Sequence, residues 1–349
     1  MQWPEGLREW QGHAQHYARD ALLARNTAAE THDDPRLASL LDELGELGFQ
    51  QLCADTRLGG LGEDVDTLAA VLEPIAAVDA TAASVIYASA AAQLTLRACS
   101  RDTPVAESAD GPGNAWVASL TFHDAAQATL PRYSRKRLQG KAPMVMPGAL
   151  ARQAILPAHS GDSGSSVVWV QLEGPGVDVG RPVRTLGLNG AGISDLVFDG
   201  ANCVCLSGDG DAVLRAVRPR LAVAATAMLC GVMRGSLETA RDYAAERHQG
   251  GGNLLGWGEV RRILAGMEQA LSVSQALLFR MVCEPEDGGR FPEQAFAHVT
   301  TMARELTCNG VQLLGGNGYM KDFGQEKRMR DARQLGALLG NQGIVDLVQ

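Results

Sequence analysis

Residues 308–333 read CNGVQLLGGNGYMKDFGQEKRMRDAR, and the order of residues in this stretch is more specific than its composition. Val311 and Leu314 stand at helical spacing, the pattern breaks at Gly315-Gly316-Asn317-Gly318, and a helix rich in Arg and Lys follows. A helix that stops on glycines leaves backbone N–H groups bare, and such groups suit a phosphate. Taken by itself, Gly-Gly-Asn-Gly reads as a plain turn between two helices.

The longer string resembles the carboxy-terminal region of acyl-CoA dehydrogenases, FAD enzymes that introduce a double bond α,β to a thioester. Their pattern, Q-x-x-G-G-x-G-[YF] followed by a short spacer and M-R-D-A, is met here by Gln312, Gly315, Gly316, Gly318 and Tyr319, then Met329-Arg330-Asp331-Ala332. The resemblance implies that Gln312 and the glycines approach the diphosphate and adenosine half of FAD, and that this FAD belongs to a neighbouring subunit. Spacing alone establishes only a glycine-broken helix.

Upstream, the family likeness extends over most of residues 48–332. Leu47-Gly48, the loop Gly59-Gly60-Leu61-Gly62, and Glu73, Ala76 and Asp79 match an amino-terminal half in which a Gly-rich loop precedes a long E-x-x-A-x-x-D helix. Before it, Leu7, Trp10, Ala14, Tyr17, Ala21 and Leu22 mark a helix over residues 6–26, and a second helix follows Asp33-Asp34-Pro35 and ends near Gly48. Residues 101–114 have the Pro, Gly and Ser content of a linker, after which β-rich runs appear at 116–122, 154–157, 167–172, 183–188 and 193–198. From about Asp211 the chain returns to helix. Residues 218–249 are Ala-rich and apolar on more than one face, as in a helix buried between subunits. They close on Tyr243-Ala244 and Arg247, similar to the family's Y-A-x-x-R-x-x-F-G, with Gly250 where an aromatic is usual. The expected fold is α+β, mostly α. It has an α-helical domain over 1–114, a small β domain over 115–207, and a helical domain over 208–349 built as a four-helix bundle.

Composition is consistent with this reading and narrows it. The 349 residues are enough for a sizeable core and two or three domains. Forty glycines with only 5% aromatics predict helices packed closely on small side chains, and a net charge of −9 argues against a nucleic-acid partner. The seven scattered cysteines read as reduced core thiols, and with no signal-peptide pattern at the amino terminus the expected compartment is the cytoplasm. No stretch approaches the roughly 18 uninterrupted apolar residues that a membrane span needs.

The family's chemistry requires a carboxylate to take the weakly acidic α-proton of the thioester. Counting on from Met329-Arg330-Asp331-Ala332 puts Leu339 at the usual base position, and counting back from Tyr243 and Arg247 puts Leu221 at the other. Neither side chain takes a proton, and no Asp or Glu lies between Ala212 and Leu237 or between Arg333 and Val345. The family runs that hold the flavin ring correspond to Ser119-Leu120-Thr121-Phe122-His123-Asp124-Ala125-Ala126 and Lys141-Ala142-Pro143-Met144-Val145-Met146. In the second of these, Pro143 replaces a Trp and Val145 a Thr. The other half of the cofactor site is retained. The resemblance implies that Arg247, Gln249, Gln312, Gly315 and Gly316 reach the adenosine diphosphate of a neighbour's FAD, with Arg247 as a charge-assisted phosphate donor.

Other patterns do not point to a site. Gly161-Asp162-Ser163-Gly164 reads as a β turn, Gly187-x-x-Gly190-x-Gly192 has no helix after it, Cys203-x-Cys205 lacks a second ligand pair, and His248 reads as a surface residue. The expectation is a base-less subunit of a heteromeric, heterotetrameric acyl-CoA dehydrogenase that acts on an acyl-CoA thioester, bulky ones such as steroid side-chain derivatives included. Its partners are a homologous catalytic subunit and an electron-transfer flavoprotein or similar acceptor. The alternatives are a homo-oligomeric flavoenzyme whose chemistry needs no glutamate base, and a flavin-free binding or scaffold relative.

Overall fold

The computed structural model describes residues 3–23, 35–99, 117–119, 130–161, 164–284 and 290–340. Their organisation follows from one helix, α5 (Gly210–Glu246), which begins where the Asp209 carboxylate accepts the Ala212 N–H at 2.9 Å. Its middle, from Ala222 to Met233, is buried without interruption, so neighbours must cover every face. They are α3 (Val65–Val78), α4 (Ala80–Ala98), α6 (Gly258–Cys283) and α7 (Phe291–Leu314). By length and composition α5 is apolar enough to cross a bilayer, and its place at the centre of this packing explains that character. The predicted reliance on small residues is visible at Gly231, where an added Cβ would lie 2.2 Å from the Glu73 carbonyl oxygen of α3.

The amino-terminal helices are α1 (Glu5–Tyr17), continued by a π turn (Ala18–Leu22), and α2 (Pro35–Glu46). One long helix through Glu73, Ala76 and Asp79 was the expectation, but the helix breaks at Asp79. That residue is extended, its N–H closes α3 on the Ile75 carbonyl at 2.8 Å, and its carboxylate accepts the Thr81 N–H at 2.9 Å to start α4. Aspartate satisfies the bare N–H groups of a helix start, so the same residue ends one helix and opens the next.

The β region comprises β1 (Val117–Ser119), β2 (Arg132–Ser134), β3 (Arg137–Val145), β4 (Gln153–Ser160), β5 (Gly164–Gln171), β6 (Val177–Pro182) and β7 (Ser194–Ser207). Pairings β4–β2, β2–β3, β3–β7, β7–β5 and β5–β4 close on themselves, and β1 and β6 attach to β4 and β7. Leu138, Val145, Leu156, Val170, Leu196 and Phe198 fill the interior of this small barrel as a core of its own.

Two strand expectations change here. Residues 183–188 are a loop, since Pro182 ends β6 and this segment turns toward the carboxy-terminal helices. The strand expected at 193–198 runs on to Ser207, because β7 pairs with β3, β6 and β5 along its length. Residues 162–163, and the linker and the strand ends at 116 and 120–122, lie outside the described residues.

After α5 come β8 (His248–Gln249) and β9 (Gly252–Asn253), a short hairpin, then α6, α7 and α8 (Gln325–Leu335). The acids of the sequence motifs tie these parts together. Glu73 of α3 takes two bonds from Arg234 of α5, at 2.7 and 3.2 Å. Lys327 of α8 meets Asp331 at 2.6 Å and Asp79 at 3.4 Å. Burial works against the Lys327 ammonium, but the two carboxylates outweigh it and raise its pKa above the ordinary lysine value. Asp331 also accepts the Leu188 N–H at 2.8 Å, which docks the 183–188 loop onto α8. All seven cysteines are free. Burial pushes the Cys53 thiol up to about 12 and the Cys99 and Cys203 thiols to about 11, as inert core thiols require, whereas Cys283 is exposed.

Candidate functional site

The five residues expected to hold a nucleotide come from three places in the chain, and the fold brings them to one cleft of about 470 Å³. Arg247 and Gln249 enter from the end of α5, Gln312 from the last turn of α7, and Gly315 and Gly316 from the turn after it. The helix expected over 218–249 stops at Glu246. Arg247 is its extended cap, with its N–H on the Tyr243 carbonyl at 2.9 Å, and Gln249 lies in β8. Leu254, Val260, Ile263, Leu313 and Leu314 supply an apolar wall, as planar ligands require. Asn317 and Tyr243 close one side through an amide-to-hydroxyl bond of 3.1 Å, and Phe323 meets Tyr243 edge-on at 6.0 Å.

Arg247, Gln249 and Gln312 are exposed, and among the described residues neither the guanidinium nor the two side-chain amides has a hydrogen-bond or ion-pair partner. Their donors face the cleft unengaged. The glycine turn acts differently from the sequence expectation. Gly315 has φ +56, which suits a residue without a Cβ, and its N–H bonds to the Gln312 carbonyl to end α7. It is therefore not a bare donor for phosphate. Both α5 and α7 present their C-terminal ends here, where carbonyls lack helical partners and the helix dipole is negative. Such ends favour the hydroxyl and amino donors of a nucleoside, and negative charge on a ligand falls to Arg247. His248 is exposed, its Nδ1 3.1 Å from the Glu246 carbonyl, and it does not line the cleft.

The two residues that the resemblance puts at the base positions sit in apolar surroundings. Leu339 is 6% exposed with φ +69, in the turn that follows α8, and Leu221 is half-buried against the main core. The buried carboxylates of Glu73, Asp79 and Asp331 are all held by cations, as described above, so they serve architecture. Sequence reasoning had used these acids only as family markers. Glu73 and Asp79 pair with residues 161 and 248 positions away, and Asp331 holds the Leu188 N–H 143 positions away, contacts that spacing does not reveal.

The ring-side run is sealed. Val145 is fully buried inside the barrel, and Pro143 has no N–H. The Met144 N–H donates to Asp195 at 3.0 Å, and Met146 exchanges both of its backbone bonds with Ser119, at 2.9 and 3.0 Å. These groups do not fit a flavin ring, since none has a free donor for it. Residues 120–126 lie outside the described residues.

Comparison with known proteins agrees with the fold. The acyl-CoA dehydrogenase N-terminal domain family matches residues 4–102 and the C-terminal domain family residues 214–346, which leaves the barrel between the two matches. Cyclohex-1-ene-1-carbonyl-CoA dehydrogenase of Geobacter metallireducens is 27% identical over 224 residues, 60% of this chain and 59% of that protein. The enzyme of the same description from Syntrophus aciditrophicus is 24% identical over 349 residues, 91% of this chain and 82% of that protein. The matches thus span about three fifths and four fifths of these two relatives' lengths. Butyryl-CoA dehydrogenase from Megasphaera elsdenii shares the fold over 100% of both chains, with a TM-score of 0.85 and 18% identity. PigA, solved with FAD and proline, shares it over 100% of this chain and 97% of its own, with a TM-score of 0.86 and 15% identity.

Proposed function

The chain belongs to the acyl-CoA dehydrogenase family, and on that premise we propose that it is the base-less subunit of an FAD-dependent acyl-CoA dehydrogenase, completing the FAD site of a homologous catalytic subunit. The observation that carries the proposal is the contrast within one chain. Arg247, Gln249 and Gln312 keep unengaged donors in an open cleft, whereas Leu339 and Leu221 stand at the base positions. FAD, when bound, accepts the hydride that leaves the β-carbon of the thioester. The catalytic subunit contributes the carboxylate and the donors around the ring. In this chain, Arg247 neutralises diphosphate charge, the Gln249 and Gln312 amides orient the nucleoside, and the Leu313 and Leu314 side of the cleft keeps water from it.

The substrate class proposed is a bulky, ring-bearing acyl-CoA. Two relatives are named for cyclohex-1-ene-1-carbonyl-CoA, which supports that class. An electron-transfer flavoprotein is the proposed acceptor.

The test is the FAD-to-chain ratio, from flavin absorbance of the chain purified alone and again after co-expression with an acyl-CoA dehydrogenase homologue encoded beside it. Little flavin alone, rising to about one FAD per pair of chains with thioester-dependent bleaching, is the expected result. A full FAD in each lone chain overturns it in favour of a homo-oligomeric flavoenzyme. No flavin in either preparation overturns it in favour of a binding relative.

A further inference from the structure

Arg247 leads into, and Gln249 lies within, a hairpin that has little to hold it. Only two residue pairs, His248 with Asn253 and Gln249 with Gly252, join β8 to β9, and the turn between them is Gly250-Gly251 at φ +63 and +96. A two-stranded ribbon of this size is marginal in water, and glycine at the turn raises its entropy further. The side chain that meets it is Trp257. Its indole lies against Gly250 so closely that an added Cβ there would come within 2.9 Å of Trp257 Cζ2. Its Nε1–H donates to the Gln249 carbonyl at 3.3 Å. Its own backbone N–H bonds to the Leu254 carbonyl at 3.0 Å, while the Leu254 N–H bonds to the Arg247 carbonyl at 2.8 Å. The chain therefore runs from Arg247 through Leu254 and Trp257 back to Gln249 as a closed circuit. Trp257 does not line the cleft, and 48% of it is exposed, a large apolar surface left on the outside of the fold.

We propose that Trp257 is the positioning residue of the cleft, clamping the hairpin so that Arg247 and Gln249 keep their donors on the bound nucleotide. The inference rests on reading the cleft as a nucleotide site. It also accounts for Gly250, because a side chain at that position would displace the indole.

The probe is ADP, titrated against the full-length chain by calorimetry and by the indole N–H resonance of Trp257. Loss of the ring and its hydrogen bond in Trp257→Ala is expected to weaken ADP binding by about fivefold or more, a hydrogen bond plus packing being of that order. Trp257→Phe keeps the ring on Gly250 and is expected to stay within about twofold. The urea unfolding midpoint of Trp257→Ala is expected to stay close to the native value, whereas a merely structural role predicts that stability falls together with affinity. Arg247→Ala separates the two levels of the argument. If it abolishes binding while Trp257→Ala binds as tightly as the native chain, the positioning role is overturned. If Arg247→Ala also leaves the affinity unchanged, or the native chain takes no ADP, the nucleotide reading of the cleft fails and the role of Trp257 fails with it.

Discussion

The cleft at the ends of α5 and α7 and the barrel edge at Lys141-Ala142-Pro143-Met144-Val145-Met146 differ in where their polar groups are engaged. At the cleft, the Arg247 guanidinium and the Gln249 and Gln312 amides have no partner among the described residues. At the barrel edge, Met144 and Met146 bond within the fold, and Val145 faces the barrel core. An exposed donor costs nothing in the free protein and is available to a ligand; a donor bonded internally must first be released. On the proposed reading, the difference teaches that half of a cofactor site can persist while the other half is absorbed into the scaffold.

The comparison is broken most severely at Asp331. Its carboxylate, 2% exposed, holds both Lys327 and the loop that joins barrel to helices. Asp331→Ala leaves a buried ammonium poorly paired and an N–H without its acceptor, and is expected to cost about 3–5 kcal/mol in urea unfolding. A smaller effect would mean that the barrel and the helices are less dependent on each other than this tie implies.

Val145→Thr restores the family residue type at the barrel edge. Because position 145 lies inside the barrel core, the hydroxyl is expected to destabilise by about 1–3 kcal/mol and to leave flavin content unchanged. A gain in bound flavin would show that this edge is open to a cofactor after all.

On the cleft side, Arg247→Ala is expected to lower flavin retention in the two-chain complex by about tenfold or more, about 1.4 kcal/mol. Its effect on unfolding should stay within about 0.5 kcal/mol, since the side chain is exposed and unpartnered among the described residues. Equal loss of stability and flavin would reduce Arg247 to a structural residue.

Acid gives the smallest effect and touches both regions. Burial raises the Asp195 carboxyl, but Lys141 at 2.7 Å and the Met144 N–H at 3.0 Å outweigh it and hold the group below its ordinary value. Asp64 is lowered in the same way, with burial opposed by Arg220 and the Val65 N–H. A carboxyl lowered by folding stabilises above its unfolded value, near 3.9, and loses that contribution as pH falls through the folded value. Thermal midpoints measured between about pH 5 and 3 are expected to fall modestly, since both groups are partly exposed and screened. A flat profile would show that neither pair contributes.

Much of the cleft's lining is legible in the sequence. The family resemblance implies Gln312, Gly315, Gly316, Arg247 and Gln249, and all five line one cleft. Leu339 and Leu221, which the resemblance puts at the base positions, are also readable as unable to take a proton, because a leucine has no titratable form. What spacing misjudged was the backbone. The glycine turn suggested free N–H groups, but Gly315 uses its own to finish α7. The strand expected at 183–188 is a loop because its partner is a helix, and the bond from Leu188 to Asp331 spans 143 positions of sequence.

By itself the sequence determined the helical packing on small residues, the family and the identity of the side chains at each motif position. These depend on local periodicity and on residue chemistry, which the chain carries wherever it goes. Tertiary structure decided which of those side chains are engaged. Glu73, Asp79 and Asp331 became ties between helices because Arg234 and Lys327 fold against them, and Arg247 remained unpaired at an open cleft because, among the described residues, no acid meets it. Burial and pairing are properties of the assembled chain, and they separate the acids that hold this protein together from the donors it holds out.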